Sequence, residues 1–156
     1  MTAAELGALY QQLILDHARE RHGEGLQPTG SVQSRQVNPL CGDEVTVQLT
    51  VDPATGNIAS LHWEGRGCAI STASASLLAD LVHELPADEL TTRIGHFRDV
   101  MRSRGTLEPD EDLLADAVAL QGVARYVARV KCAMLPWVAC EDALRMLAAP
   151  SAPEPV

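Results

Sequence analysis

Residues 44–51 restrict the fold of this chain more than any other stretch, because apolar and polar residues alternate along them without a break. One face carries Val45, Val47, Leu49 and Val51. The other face carries Glu44, Thr46, Gln48 and Thr50. Such alternation is typical of a β-strand that covers a core on one side only.

The neighbouring segments extend this strand into an antiparallel sheet. Residues 52–57 contain Asp, Pro, Gly and Asn, which favour a turn. Residues 58–64 form a returning strand, and residues 31–37 form a short edge strand. The side chains of the returning strand that should face inward are Ala59, Leu61 and Trp63. The pattern therefore predicts a small three-stranded antiparallel sheet.

Apolar residues at helical spacing fill most of the remaining chain. Thr2 and Glu5 form a capping box at the start of a helix that runs to about His22. A second helical stripe follows Cys68 and continues to Leu85.

Three more helices are predicted in the second half of the chain. They cover residues 88–104, residues 109–124, where Gly122 is a possible interruption, and residues 135–148. Pro136 suits the first turn of the last helix. Together with the sheet, these helices predict an α+β fold, in which a small three-stranded antiparallel sheet packs against several helices.

The length of the chain and its composition fit one globular domain. The sequence has 156 residues, and 46% of them are hydrophobic, so residues 1–148 can bury a substantial core as a single domain. Residues 149–156 contain three prolines, and we expect them to be a disordered tail.

Charge and apolar patterning exclude two classes of partner. The 12 basic and 21 acidic residues give a formal charge of −9, which repels phosphate backbones, so we expect no nucleic-acid partner. We find no signal peptide and no run of about 18 apolar residues, so we expect no membrane partner and a cytoplasmic location.

Four cysteines would allow two disulfides, but in a reducing compartment they favour metal binding or catalysis.

The cysteines and one acidic residue suggest a metal site. Cys41 and Asp43 lie two residues apart, and Pro39 and Gly42 allow the chain to turn there. Cys68 and Cys132 lie at the predicted boundaries of helices, and the dipole of the helix after Cys68 should favour its thiolate. Three sulfurs and one oxygen provide the four ligands of a tetrahedral zinc ion.

Three blocks of sequence resemble the signatures of the IscU/NifU-N family of iron-sulfur assembly proteins. They are Asn38-Pro39-x-Cys41-Gly42-Asp43, Gly67-Cys68-Ala69-Ile70-Ser71-x-Ala73-Ser74-Ala75-Ser76 and Arg129-x-Lys131-Cys132-Ala133-x-Leu135-x-Trp137. The resemblance extends to about Ala148 and is strongest to the zinc-containing sulfur-transfer branch, SufU. Two features indicate that branch: Lys131 stands where the scaffold branch has His, and an extra helical region follows Pro86.

One segment and one single position differ from the pattern of this branch. SufU-like sequences follow the first helix with His-Tyr-x-x-Pro-Arg-Asn, whereas this chain continues from His17 to Gly23 as His-Ala-Arg-Glu-Arg-His-Gly. Val127 replaces a proline that is common before the last cysteine. Because all four ligands of the family pattern are present, these differences concern partner contacts more than metal binding.

The resemblance implies a zinc-dependent sulfurtransferase in iron-sulfur cluster assembly. The implied metal ligands are Cys41, Asp43, Cys68 and Cys132. Because Cys41 lies on the Pro/Gly loop, we hypothesise that it leaves the metal and accepts persulfide sulfur from a SufS-type cysteine desulfurase. It would then pass the sulfur to a downstream SUF cluster scaffold. Arg129 and Lys131 would stabilise thiolate or persulfide charge.

Two other functions fit the same residues. The chain could be a scaffold that builds a [2Fe-2S] cluster on the same four ligands, although Lys131 in place of His argues against it. It could also be a structural zinc module without chemistry.

Several other residues have ordinary interpretations. Cys140 lies within an apolar helical pattern and is predicted to be in the core. His17 either contacts the site or a partner, or packs and caps the first helix. Arg66 faces either the site or solvent. The remaining histidines have no partner spacing and are predicted to lie at the surface; they are His22, His62, His83 and His96.

Overall fold

The structure is a computed structural model, and it describes residues 1–148. The predicted disordered tail, 149–156, lies outside the described residues. The helices are Ala3–Glu20 (α1), Ala69–Leu81 (α2), Ala87–Arg102 (α3), Glu111–Leu114 (α4) and Val127–Ala148 (α5), with a 3₁₀ segment at Ala115–Arg125. The strands are Val32–Asn38 (β1), Asp43–Val51 (β2), Ile58–Arg66 (β3) and His83–Leu85 (β4).

The strands form one antiparallel sheet in the order β1-β2-β3-β4. In the middle of the sheet, Val47 of β2 pairs with Ser34 of β1 on one side and with Trp63 of β3 on the other. The predicted α+β class is therefore confirmed, but the sheet has four strands and not three.

The fourth strand was missed because Leu81 and Leu85 are four residues apart, a spacing that also fits a helix. In the structure α2 ends at Leu81, and the backbone of Val82 is extended. Glu84 has a φ of 46°, which an α-helix does not tolerate. Leu85 then pairs with Ile58 at the edge of the sheet.

The core lies on the face of the sheet that the alternating pattern predicted. Val45, Val47 and Leu49 are buried, and α5 packs across β1 and β2 while α2 packs against β3. On β3 the fully buried residue at the start is Ile58 and not Ala59, because the register of β2 and β3 shifts between Thr50 and Val51. A single irregularity in the pairing thus changes which residue faces the core.

The last helix begins at Val127, eight residues before the predicted start. The predicted start is too late because Pro136 suits a first helical turn in sequence, whereas in the structure it lies inside α5. Proline in a helix interior cannot donate to the carbonyl four residues earlier, here that of Cys132. Because α5 begins at Val127, Cys132 is part of the helix and does not precede it.

The predicted helix over residues 109–124 is also different in the structure. A single α-turn, α4, is followed by the 3₁₀ segment, because Ala115 has a φ of 48° and stops the α-helix. Among residues 1–148, no helix is both long enough and apolar enough to cross a membrane.

Candidate metal centre

Three of the four predicted ligands converge at one end of the sheet. Cys41 lies in the loop between β1 and β2, Asp43 is the first residue of β2, and Cys132 lies in the second turn of α5. One ligand atom from each residue lies within 4.8 Å of the other two. Cys41 is exposed, whereas Asp43 and Cys132 are buried. Cys41 is therefore the member of the group that is most accessible from solvent.

The carboxylate of Asp43 is only partly used by the protein. Its Oδ1 accepts a hydrogen bond of 3.2 Å from the backbone N–H of Cys68. Its Oδ2 is buried and has no hydrogen-bond partner among residues 1–148. An unpaired buried carboxylate oxygen is costly, and a cation beside it would remove that cost.

Cys68 lies next to this group but outside it. It is the N-cap residue of α2, as the sequence indicates, and its side chain is exposed. Its Sγ lies 3.8 Å from Oγ of Ser71, and its thiol interacts with Cys132. The structure thus brings Cys41, Asp43 and Cys132 together, with Cys68 adjacent to them.

Cys132 is a thiol that needs a cation to ionise at neutral pH. Burial, together with interactions with Cys68 and Asp43, raises the pKa of Cys132 to about 12. A cation that binds here must displace the thiol proton, since the thiolate is the ligand. Burial also raises the pKa of Cys140 well above its usual value; this residue is fully buried in the core, as the sequence predicts.

Gly67 allows the close approach of β2 to the start of α2. A Cβ at this position would lie 2.8 Å from Cγ of Asp43 and 2.4 Å from Oγ of Ser71. Any other residue at this position would therefore displace the hydroxyl of Ser71 and the carboxylate of Asp43.

A buried hydrogen-bond chain fixes α2 against α5 beside the cysteines. Nε1 of Trp137 donates to Oγ of Ser74 at 2.8 Å, and that hydroxyl donates to the carbonyl of Ala133 at 2.6 Å. Ser74 is completely buried. These hydrogen bonds link α2, which Cys68 precedes, to α5, which carries Cys132.

The two predicted supporting cations lie at the surface near the site. Arg129 lines an open groove of about 1100 Å³ together with Cys68 and Cys132. Lys131 is exposed and does not line this groove. Arg66 points elsewhere, because its Nε lies 3.0 Å from Oε1 of Glu44.

The groove is mainly apolar and ends at the cysteines. Its apolar wall is formed by α1 and the residues after Cys68, through side chains that include Leu6, Tyr10, Ile14, Leu15 and Ile70. Its charged lining residues are Arg125 and Arg129, with no acidic residue among them. A partner with an apolar segment and an anionic group fits such a surface.

The donor set fits a soft or borderline cation. Thiolate sulfur and one carboxylate oxygen suit zinc, and three cysteines also suit iron in a cluster. The residues that could hold the ion are Cys41, Asp43 and Cys132, with Cys68 as the neighbouring thiol. The unpaired Oδ2 of Asp43 is the observation that favours a bound cation.

A second group of ligand-type side chains was missed in the sequence. His17, His22 and Asp80 meet where α1 and α2 end. His22 was predicted to be a surface residue without a partner, but its Nδ1 lies 2.8 Å from Oδ2 of Asp80. The residues are 58 positions apart, so no local spacing could reveal this contact.

Known proteins match the chain over nearly its whole length. The NifU-like N terminal domain family matches residues 9–133. The zinc-dependent sulfurtransferase SufU of Bacillus subtilis (strain 168) is 35% identical over 140 residues, which are 88% of this chain and 90% of that protein. The iron-sulfur cluster assembly scaffold protein IscU of Streptococcus pyogenes serotype M1 is 32% identical, over 93% of this chain and 88% of that protein.

A solved structure from a protein of iron-sulfur cluster assembly has the same fold as this chain. A candidate iron-sulfur cluster assembly scaffold protein for the SUF system, from Fervidobacterium islandicum AW-1, superposes with a TM-score of 0.75 at 29% identity. The alignment covers 88% of this chain and 97% of that chain. The chain therefore belongs to the NifU-like N-terminal domain family of iron-sulfur cluster assembly proteins.

Proposed function

We propose that the protein is a zinc-dependent sulfurtransferase that supplies sulfur for iron-sulfur cluster assembly. Cys41 accepts sulfur from a SufS-type cysteine desulfurase and passes it to a downstream SUF cluster scaffold. The observation that carries this proposal is the position of Cys41, an exposed thiol that lies within ligand distance of the buried Asp43 and Cys132.

The proposed zinc ligands are Cys41, Asp43, Cys68 and Cys132. Zinc bound there would keep the thiols deprotonated at neutral pH. Cys68 would complete the set, because its exposed thiol is close enough to Cys132 to raise the pKa of that residue. Asp43 contributes its unpaired Oδ2, because Oδ1 is held by the N–H of Cys68.

Sulfur transfer to Cys41 is a thiol exchange that forms one S–S bond and breaks another, so it needs no external oxidant or reductant. The thiolate of Cys41 attacks the terminal sulfur of the desulfurase persulfide, and a new S–S bond forms. The S–S bond of the donor breaks, and the donor cysteine leaves as a thiolate. Cys41 is the best placed thiol for this attack because it lies on an exposed loop, with the neighbouring Leu40 79% exposed.

Nearby groups would assist the transfer without taking part in bond exchange. Arg129 lines the groove beside Cys68 and Cys132, and its charge would stabilise an incoming persulfide. Lys131 is exposed on the same helix and adds positive charge near Cys132. Because the proposed chemistry requires reduced thiols, we place the protein in the cytoplasm.

A cluster scaffold is the second candidate, since the Streptococcus pyogenes relative carries that name. Three thiols and a carboxylate can ligate iron as well as zinc. Anaerobic purification followed by metal analysis distinguishes the two functions. About one equivalent of zinc without cluster absorption supports sulfur transfer, whereas a stable [2Fe-2S] spectrum supports the scaffold.

The proposal is tested by desulfurase turnover with the protein as sulfur acceptor. The wild-type protein should accelerate alanine release from cysteine by a SufS-type desulfurase, and Cys41→Ser should abolish the acceleration. Cys140→Ala is the matched control, because Cys140 is buried away from the site and should leave the acceleration intact. Acceleration that survives Cys41→Ser contradicts sulfur transfer and favours a structural role for the metal centre.

A further inference from the structure

The far end of α2 carries a second cluster of metal-ligating side chains, made of His17, His22 and Asp80. One ligand atom from each residue lies within 4.8 Å of the other two. We propose that these three side chains bind one divalent transition-metal ion, of which Zn²⁺ is the best match to two imidazoles and a carboxylate.

This site is separate from the cysteine centre. Asp80 is near the end of α2, whereas Cys68 precedes its first residue. At 1.5 Å per residue, the length of the helix puts the two sites roughly 18 Å apart. The second site therefore does not depend on the proposed sulfur transfer.

The separations within the cluster suit a tetrahedral ion. Oδ2 of Asp80 lies 2.8 Å from Nδ1 of His22 and 3.9 Å from Nε2 of His17. Ligands at about 2.0 to 2.1 Å from a tetrahedral zinc lie roughly 3.3 Å from each other. Because the observed distances lie on either side of this value, small side-chain movements are enough to form the site.

One hydroxyl arranges both histidines. Nδ1 of His17 lies 2.7 Å from Oγ of Ser76, so Nε2 is the ring atom directed toward Asp80. The same Oγ accepts a hydrogen bond of 2.9 Å from the backbone N–H of His22. Metal-binding histidines characteristically have their second nitrogen fixed in this way.

The backbone of His22 is held over α2 before any ion binds. Its carbonyl accepts a hydrogen bond of 2.7 Å from Nε1 of Trp63. Gly23 has a φ of 79°, and a Cβ there would lie 2.5 Å from Cβ of Ala79. Only glycine at position 23 lets the loop pack this closely against α2. The close packing preorganises the site.

The cluster is open to solvent on one side, which provides a path for the ion and room for water. The side chain of His17 is buried, whereas those of His22 and Asp80 are 37% and 47% exposed. Oε1 of Glu20 lies 3.5 Å from Nε2 of His22 and adds negative charge to a chain with a formal charge of −9. Three protein ligands and one water would complete four-coordination.

The test uses the full-length protein loaded with a single equivalent of Zn²⁺, which fills the thiolate-rich cysteine centre and leaves the second site vacant. This protein is then titrated with Co²⁺. Cobalt binds more weakly than zinc to a given site, so it will not displace zinc from the cysteines. The wild type should bind one equivalent of Co²⁺, with ligand-field absorption but no thiolate charge-transfer band. His83→Ala, the control at an exposed histidine of β4, should behave in the same way.

Two variants remove ligands of the second site without touching the buried His17. His22→Ala and Asp80→Asn should each weaken Co²⁺ binding about tenfold or more. Both positions are partly exposed, and circular dichroism checks that the variants are folded. No bound Co²⁺ in the wild type, or equal binding by the wild type and both variants, would overturn the proposal.

Discussion

The backbone N–H of Cys68 donates to Oδ1 of Asp43 at 3.2 Å and leaves Oδ2 of the same carboxylate buried without a partner among residues 1–148. This contact ties the start of α2 to the start of β2. The same carboxylate shares a ligand group with Cys41 and Cys132. The carboxylate is therefore both a structural acceptor and a candidate metal ligand.

The first prediction concerns the charge of this carboxylate. Asp43→Asn keeps an oxygen for the N–H of Cys68 but loses the anionic ligand, so zinc affinity should fall about tenfold or more. Competition with a chromogenic zinc chelator measures the affinity. Glu64→Gln removes one acidic charge at an exposed position and should leave zinc affinity unchanged. Equal affinities for both variants would remove Asp43 from the ligand set.

The second prediction concerns the space at Gly67. Gly67→Ala should weaken zinc binding, because its Cβ would lie 2.8 Å from Cγ of Asp43 and displace the carboxylate. Gly95→Ala is the matched control, since a Cβ there meets nothing within 4 Å. Because Gly95 lies inside α3, Gly95→Ala should leave the free energy of unfolding unchanged or raise it by about 0.5 to 1 kcal/mol. Unchanged zinc affinity in Gly67→Ala would contradict the crowding at this site.

The third prediction concerns the hydrogen-bond chain behind the cysteines. Ser74→Ala leaves Nε1 of Trp137 and the carbonyl of Ala133 without their buried partner. The free energy of unfolding should fall by about 1 to 3 kcal/mol. Urea denaturation measures it, with Ser60→Ala on β3 as the partly exposed control. If Ser74→Ala loses no more stability than the control, the hydrogen bonds of Ser74 do not contribute to the free energy of unfolding as predicted.

The fourth prediction concerns the pH dependence of stability. Nη1 and Nη2 of Arg98 donate to both carboxylate oxygens of Glu141 at 2.9 and 2.7 Å, which joins α3 to α5. The hydrogen bonds from Arg98 lower the pKa of Glu141 from its usual 4.5. The folded state therefore binds its proton at lower pH than the unfolded state does.

This contribution should be complete above pH 4.5, the usual pKa, and should be lost as the pH falls through the lowered pKa of the folded state. Glu141→Gln should thus be less stable than wild type at neutral pH by about 1 to 2 kcal/mol, and the difference should shrink in acid. Glu89→Gln, which breaks the more exposed pair of Glu89 with Arg93, should cost about 0.5 kcal/mol or less. A difference for Glu141→Gln that is constant with pH would contradict the ion pair.

Elements with a strong repeating pattern could be predicted from the sequence. The alternation over residues 44–51 identified β2 and its buried face, since a period of two fits only a strand. The position of Cys68 at the start of α2 was also predicted. By contrast, β4 has only three residues, which is too short for any periodicity to appear.

The remaining errors arise from tertiary contacts. The sequence predicts a helix that starts near Pro136, but the packing of α5 on the sheet outweighs the hydrogen bond that proline removes. The contact of His22 with Asp80 depends on the turn after α1, and the sequence does not show where that turn leads. In the cysteine centre, the residue types were predictable, but the separation of Cys68 from the other three ligands was not.

The most direct test of sulfur transfer is to locate the persulfide. The zinc-loaded protein is incubated anaerobically with a SufS-type desulfurase and cysteine, and its peptides are mapped by mass spectrometry after alkylation. The account predicts that the peptide containing Cys41 gains the mass of one sulfur atom. Added sulfur on Cys68 or Cys132, and never on Cys41, would contradict it.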